Sequence, residues 1–370
     1  MLVQALTFAA PMLEPIYHTR LGGAVAHLIC ASAWLLGFFL IGLTCAYTMA
    51  HTYGISCLLT MSIFMESEFA RQTLTRVVCL ACIYMGPSWD LDGSYMYWAS
   101  TCFFVAMDML TSCGRFREQP GFKKLLRDLD YTKYYSACEL RGALEDIQKK
   151  QSVFAFHPHG LFCLGFNWNG CWSEKFEHLA GKTMWLVARP IRTGIFARVL
   201  CDWHGTIETL DKHTFPMYMR RNVNVALVPG GFEDTTVMEF GKHRTALKGR
   251  TGFIKYALQH GYRVHPCYTF GETDTYHVPF TGALAFRFWL NKFQIPGAFL
   301  FVGCCPLLPF MPLTKPKLLT YVGKAIQLPT IANPSREDIE TWHKVYCEAL
   351  VCLFDTNKND AGVSADLEIW

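Results

Sequence analysis

Two histidines flank a proline in the run FAFHPHGLFCLG, residues 154–165, and a glycine follows at once. Imidazoles beside Phe154, Phe156, Leu161 and Phe162 carry a desolvation cost that a hydrogen-bond network or a chemical role must offset. Histidine titrates near neutrality, so a neutral ring can take the proton from a hydroxyl as that hydroxyl attacks an activated carbonyl. Pro158 fixes the backbone between His157 and His159, and Gly160 admits a close approach of substrate or an unusual dihedral. A pair of satisfied core histidines explains the same letters, and composition leaves the two readings level.

A base of this kind needs a second polar cluster, and VPGGFEDT at 228–235 offers one. Gly230 and Gly231 free backbone amides to face an oxyanion, and Glu233 can orient an imidazole by accepting its other N–H. A plain glycine turn fits as well. Lys242, His243, Arg244, Lys248, Arg250 and Lys255 come next in the chain, a basic group suited to phosphates or to a solvated surface. Other chemistries fare worse. His157, His159 and Cys163 fall short of the four ligands a structural zinc takes, so no metal is expected. There is no Gly-x-Ser-x-Gly elbow and no dinucleotide-binding glycine fingerprint.

The elements that must position these residues read as α/β. VFAF at 153–156 and NVAL at 224–227 are short buried strands that end at the two polar clusters. RTGFIKYALQHG then carries Phe253, Ile254, Ala257 and Leu258 on one helical face with Gly261 as its stop, and VHPCYTFG is a further strand. TYVGKAIQLP at 320–329 reads as strand and turn. After Asn333-Pro334-Ser335, apolar residues at 339, 342, 346, 350 and 354 keep helical spacing. In such a strand–turn–helix rhythm, sites gather at the C-terminal ends of strands. The aromatic, proline-punctuated stretch from Leu284 to Pro312 fits ordinary core or a surface that meets lipid.

Hydrophobic residues make up 51% of the chain and charged ones 17%, against about 25% charged in an ordinary soluble protein. The excess lies near the N-terminus: from Leu21 to Met65 there is no Asp, Glu, Lys or Arg. Residues 21–50 alone exceed the roughly 20 apolar residues that cross a bilayer. Glu14 precedes Arg20 and the apolar run is long, which disfavours a cleaved signal peptide and predicts a retained anchor. Shorter apolar blocks at 77–85 and 95–110 fit a second span, a re-entrant pair or interfacial helices. RFREQPGFKKLLRDLDYTK, residues 115–133, reads as a juxtamembrane basic segment or, equally well, as a solvated helix face; the first reading, by the positive-inside tendency, puts the chain from Arg115 onward in the cytosol. A net charge of +4 gives no case for nucleic acid. The sixteen cysteines lack a regular spacing and read as small buried hydrophobes of a reducing compartment.

HPHG at 157–160, PGGxE at 229–233, RxGFxKxAL at 250–258, TFGE at 269–272 and VGKAIQLP at 322–329, in this order, resemble the type 2 diacylglycerol acyltransferase family. That family includes monoacylglycerol and wax-alcohol acyltransferases. The resemblance implies a glycerolipid-acyltransferase-like α/β domain with a mixed central sheet, preceded by N-terminal transmembrane helices. It also implies transfer of a fatty acyl group from acyl-CoA, a co-substrate rather than a cofactor, to the hydroxyl of diacylglycerol or a related lipid, monoacylglycerol or a long-chain alcohol; a non-catalytic lipid-binding membrane protein is the alternative. The expected place is the endoplasmic-reticulum membrane or a lipid droplet, among membrane lipids, with homo-oligomerisation left open. The distant relatives' His-x-x-x-x-Asp motif is absent, since Leu164 and Phe162 stand five residues after the two histidines, and Glu233 is the expected substitute. His159 is the expected base, supported by His157, with Pro158, Gly160, Gly230, Gly231, Arg250 and Lys255 binding substrate. The organisation expected is 1–114 with the main span about 21–50, the basic segment 115–150, the catalytic domain 151–355 and a polar tail 356–370.

Overall fold

The computed structural model describes residues 14–31, 118–193, 195–293, 295–298, 300–304 and 310–370. These fall into two compact units. In the smaller, residues 30–118 with 190–203, the helices Arg189–Thr193 and Ile195–His204 bring two arginines to buried Asp202, Arg192 Nη2 at 2.6 Å and Arg198 Nε at 3.6 Å. The span expected over 21–50 lies, beyond residue 31, outside the described residues, as do the apolar blocks at 77–85 and 95–110. Among the described residues no helix is long and apolar enough to cross a membrane.

The larger unit is built on an eight-stranded mixed sheet. Its strands are β1 (Ala137–Gly142), β2 (Ser152–His157), β3 (Thr183–Val187), β4 (Ile207–Thr209), β5 (Asn224–Leu227), β7 (Arg263–Phe270), β8 (Lys317–Val322) and β9 (Ile326–Gln327). The order is β1-β8-β7-β2-β5-β3-β4, with β9 also on β7. β7 runs antiparallel to β8 and β9, and the other pairings are parallel, so the fold is α/β as the residues predict, with the mixed central sheet that the resemblance implies. β2 and β5 are adjacent and in register, Ala155 opposite Leu227, so HPHG and PGGFED leave neighbouring strands at the same edge.

Strand alternation then decides what each residue of β2 meets. Phe154 and Phe156 point to one face, where Phe154 meets Phe176 at 5.0 Å and Phe156 meets Phe166 at 5.4 Å and Trp185 at 5.9 Å between ring centres. Phe176 belongs to α2 (Glu174–Ala180), which follows α1 (Pro120–Asp128). Val153 and Ala155 point to the opposite face, into the core shared with Phe253, Ile254, Ala257 and Leu258. Beyond α3 (Thr214–Arg220) and α4 (Gly231–Val237), that core is covered by α5 (Gly252–His260) and, past α6 (Leu284–Asn291), by α7 (Arg336–Asn357). α7 starts on a capping box: Ser335 Oγ accepts from Asp338 N at 3.1 Å, and Asp338 Oδ2 accepts from Ser335 N at 2.8 Å. It buries Tyr346, Leu350 and Phe354 on one stripe, each worth about 1.5–3 kcal/mol in removed apolar surface.

Two sequence-level readings change, and one open alternative is decided. The basic segment expected to face headgroups is, where described, part of the domain: α1 buries Phe122, Leu125 and Leu126, and Arg127 Nη2 donates to Glu177 Oε2 at 2.5 Å. The stretch after Asp355 is not a loose polar tail. α7 runs on to Asn357, Val363 and Leu367 pack on the core, and β10 (Glu368–Ile369) pairs in parallel with β6 (Arg244–Thr245). Alternation over so few residues is too short to be read in advance. Finally, α6 is surface rather than core. Arg287 lies fully buried behind it, donating to the carbonyls of Gly297, Thr281 and Thr236, while Phe286, Trp289 and Phe293 stand about half exposed on the other side.

Candidate active site

The two histidines have separate environments because β2 ends between them. His157 is its last residue, follows Val153 and Ala155 onto the α7 face and is fully buried. Its Nε2 lies 2.8 Å from Tyr346 Oη and its Nδ1 2.8 Å from Thr245 Oγ1. Thr245 also touches Asp234, 3.1 Å to Oδ1 and 3.2 Å to Oδ2. A carboxylate only accepts, so the threonine hydroxyl donates to Asp234 and accepts from His157 Nδ1–H, and Tyr346 donates to Nε2. Every polar atom of the His157 ring is thereby satisfied. Burial holds it neutral, down to about 3.

His159 stands two residues on, past a cis His157–Pro158 bond, and is only partly buried. Its backbone N–H donates to Asp234 Oδ2 at 3.1 Å. Its Nδ1 is 3.1 Å from the Gly160 carbonyl and 3.0 Å from Thr235 Oγ1. The carbonyl can only accept, which favours the tautomer with the ring proton on Nδ1; in it the Thr235 hydroxyl turns its own proton toward the Gly231 carbonyl at 3.5 Å. Nε2 is left with a free lone pair and no partner among the described residues. Burial lowers this imidazole to about 4, with the Gly160 carbonyl acting the other way, so it is neutral at physiological pH.

Asp234, rather than Glu233, is the acid in this network. It is 1% exposed and also accepts from the Ala246 amide. Burial pushes its carboxyl up to about 6 against the opposing pull of the Ala246 and His159 N–H groups. A Cβ on Gly230 would overlap the Asp234 carboxyl, so this position has to be glycine for the carboxylate to turn back to the strand end. Glu233, the expected acceptor for an imidazole, instead pairs with Arg250 at the surface, 2.6 Å from Nη2. The reason is helical phase: consecutive residues of α4 project about 100° apart, so 233 faces out when 234 faces in.

The remaining expected residues fall around this centre. Pro158 and Gly160 are buried in the turn after β2, and Gly230 and Gly231 open α4. No group of the described residues accepts from the Gly230 or Gly231 amide. Of the basic group, His243 is buried beside Tyr268 Oη at 3.0 Å, and Arg244 is held by Glu239 and Glu368. Arg250 is taken by Glu233, while Lys248 and Lys255 are exposed. An open cleft of about 500 Å³ adjoins the network at Ala246, walled by Glu233, Lys248, Phe288, Glu368 and Trp370. No group of three metal-ligating side chains is present among the described residues.

Sequence reading missed Asp234, Thr235, Thr245, Tyr346 and Glu272. Glu272, in the corner after β7, is fully buried beside Gly160, and burial pushes its carboxyl up to about 8. Asp234 had a signal, an acid four residues after a glycine, but Glu233 competed with it.

Residues 81–370 match the sequence profile of the family described as diacylglycerol acyltransferase. The chain is 28% identical over 253 residues to the mouse and human proteins named diacylglycerol O-acyltransferase 2, covering 63% of this chain and 63% of theirs. It is 29% identical over 306 residues to mouse acyl-CoA wax alcohol acyltransferase 1, covering 77% of this chain and 88% of that one. No solved structure gives a significant match.

Proposed function

Because the chain belongs to the diacylglycerol acyltransferase family, we propose that it transfers a fatty acyl group from acyl-CoA to the free hydroxyl of diacylglycerol, with His159 as general base. The observation that carries this is His159 Nε2, without a partner among the described residues at the C-terminal end of β2, in a ring whose Nδ1 lies 3.1 Å from the Gly160 carbonyl. Nε2 takes the hydroxyl proton as the oxygen attacks the thioester carbonyl. The Gly230 and Gly231 amides are suited to the oxyanion that forms. Collapse breaks the C–S bond, and the departing coenzyme A thiolate recovers the proton from the imidazolium. Triacylglycerol and free coenzyme A result. Asp234 holds the backbone of His159, while His157 is a buried strut.

The exposed aromatic ridge of α6 supports action at a membrane surface, since Phe286 and Trp289 stack at 5.7 Å and Trp289 meets Phe293 at 4.8 Å, each ring about half exposed. The endoplasmic-reticulum membrane, with the catalytic domain on its cytosolic side, is the place proposed. A second reading, a long-chain alcohol as acceptor, is favoured by the greater coverage of the wax alcohol acyltransferase relative.

The test is thin-layer separation of products from membranes bearing the protein, given labelled oleoyl-CoA with diacylglycerol, monoacylglycerol or a long-chain alcohol. Label in triacylglycerol that disappears in His159→Ala at equal folded protein is the expected result. Undiminished transfer in that variant refutes the base, and label only in wax ester changes the acceptor.

A further inference from the structure

Glu272 takes no part in the chemistry above, yet a fully buried carboxyl with no cation beside it among the described residues has to be retained for a reason. Its oxygens accept from two backbone amides, Leu164 N at 2.9 Å to Oε1 and Gly165 N at 2.6 Å to Oε2. Its third neighbour is Gly160, whose φ is +58°. A Cβ built there would lie 2.6 Å from Oε1 and 2.7 Å from Cγ, so the carboxyl group rests against the α-carbon of the residue after His159. The turn from 159 to 165 is thus clamped at both ends, by Asp234 on the His159 amide and by Glu272 on the Leu164 and Gly165 amides. Inside it the His159 carbonyl accepts from Cys163 N at 3.0 Å and the Gly160 carbonyl receives the His159 Nδ1 proton.

We propose that Glu272 is a positioning residue that acts through Gly160: by fixing the peptide whose carbonyl holds the ring proton on Nδ1, it presents Nε2 of His159 as the lone pair. The proposal rests on His159 being the base. Glu272→Gln keeps the volume but sets an NH2 against one of the two amides. One clamp bond is lost, the turn relaxes, and the ring proton moves mostly to Nε2, leaving the lone pair on Nδ1, where the Gly160 carbonyl and Thr235 screen it from reagents.

Diethyl pyrocarbonate acylates the ring nitrogen that carries the lone pair, so its rate at His159, read by peptide mass spectrometry on the full-length protein, reports the tautomer. Exposed His178 serves as the internal reference. In Glu272→Gln the His159 rate is expected to fall about fivefold with His178 unchanged, and kcat about tenfold with KM for oleoyl-CoA within about twofold. An unchanged His159 rate overturns the proposal, whatever happens to kcat. A slowed His159 rate in a protein whose wild type transfers no acyl group upholds the positioning role and overturns the acyl-transfer reading instead. If Glu272→Gln does not accumulate folded, Gly160→Ala strikes the same contact from the other side and carries the same two readouts.

Discussion

Replacing Asp234 by asparagine separates the two acids of GGFED and gives different pH responses in two assays. The carboxylate accepts from the His159 amide at 3.1 Å, from the Thr245 hydroxyl and from the Ala246 amide, all in a buried site. An asparagine of nearly the same volume has one acceptor oxygen. If that oxygen stays with Ala246 and Thr245, the new NH2 opposes the His159 N–H, and a buried donor left unpaired costs about 1–3 kcal/mol. The HPHG turn shifts, and a displacement of about 1 Å of the base lowers kcat/KM on the order of a hundredfold. Stability responds differently with pH. Asp234 has a folded value of about 6 against an ordinary 3.8, so the folded state holds its proton longer than the unfolded chain. That contribution is complete below pH 3.8 and is lost as pH rises through 6, amounting to about 3 kcal/mol over the window. Asparagine lacks it, so urea denaturation should find the variant clearly weaker than wild type near pH 4.5 and much closer to it at pH 7.5. Acyl-transfer assays should find it deeply impaired at both, and Glu233→Gln mildly affected. Equal damage from Glu233→Gln, or wild-type kcat/KM in Asp234→Asn, refutes the assignment.

The same geometry sets other expectations. Tyr346→Phe removes the donor to His157 Nε2 at 2.8 Å and should lower the unfolding free energy by about 1–3 kcal/mol in urea titration; no loss would mean that His157 is satisfied by other means. Since burial holds His159 down to about 4, the acid limb of log kcat/KM from this base should lie near pH 4, and a limb near pH 6.5 would contradict it. The Arg250–Glu233 pair is more than a third exposed on both sides, so Arg250→Gln should change stability by less than about 1 kcal/mol in urea titration. The same variant should raise KM for acyl-CoA several-fold if Arg250 meets the CoA phosphates. Serine at Phe286, Trp289 and Phe293 should abolish binding to phosphatidylcholine–phosphatidylserine vesicles in flotation, each ring contributing on the order of 1–3 kcal/mol, with Tm unchanged because Arg287 holds α6 from behind.

The strand ends were legible because β2 and β5 are short buried runs stopped by Pro and Gly, and α7 because its stripe and its Ser335 cap are both local signals. HPHG announced a polar cost at a strand end, and its division of labour comes from one fact the letters leave open, that the strand stops at 157. The choice between Glu233 and Asp234 turns on where α4 begins, and one residue of phase reverses it. Thr245 and Tyr346 were illegible as site residues. Each has an ordinary place in its own element, Tyr346 among the apolar positions of α7, and only tertiary packing puts its hydroxyl on an imidazole.

Those two contacts also set an order of assembly during synthesis. Tyr346 follows His157 by 189 residues, and Glu368, which flanks the strand holding Thr245 through Arg244, follows that arginine by 124. A nascent chain that has emerged from the ribosome as far as residue 300 holds HPHG, the glycines, Asp234 and Thr245, but lacks the Tyr346 hydroxyl that satisfies Nε2 of the buried His157 ring. Catalytic competence therefore arrives late, after the helix that carries no catalytic group has docked. A truncation within α7 would silence the protein while every residue of its chemistry remained in place.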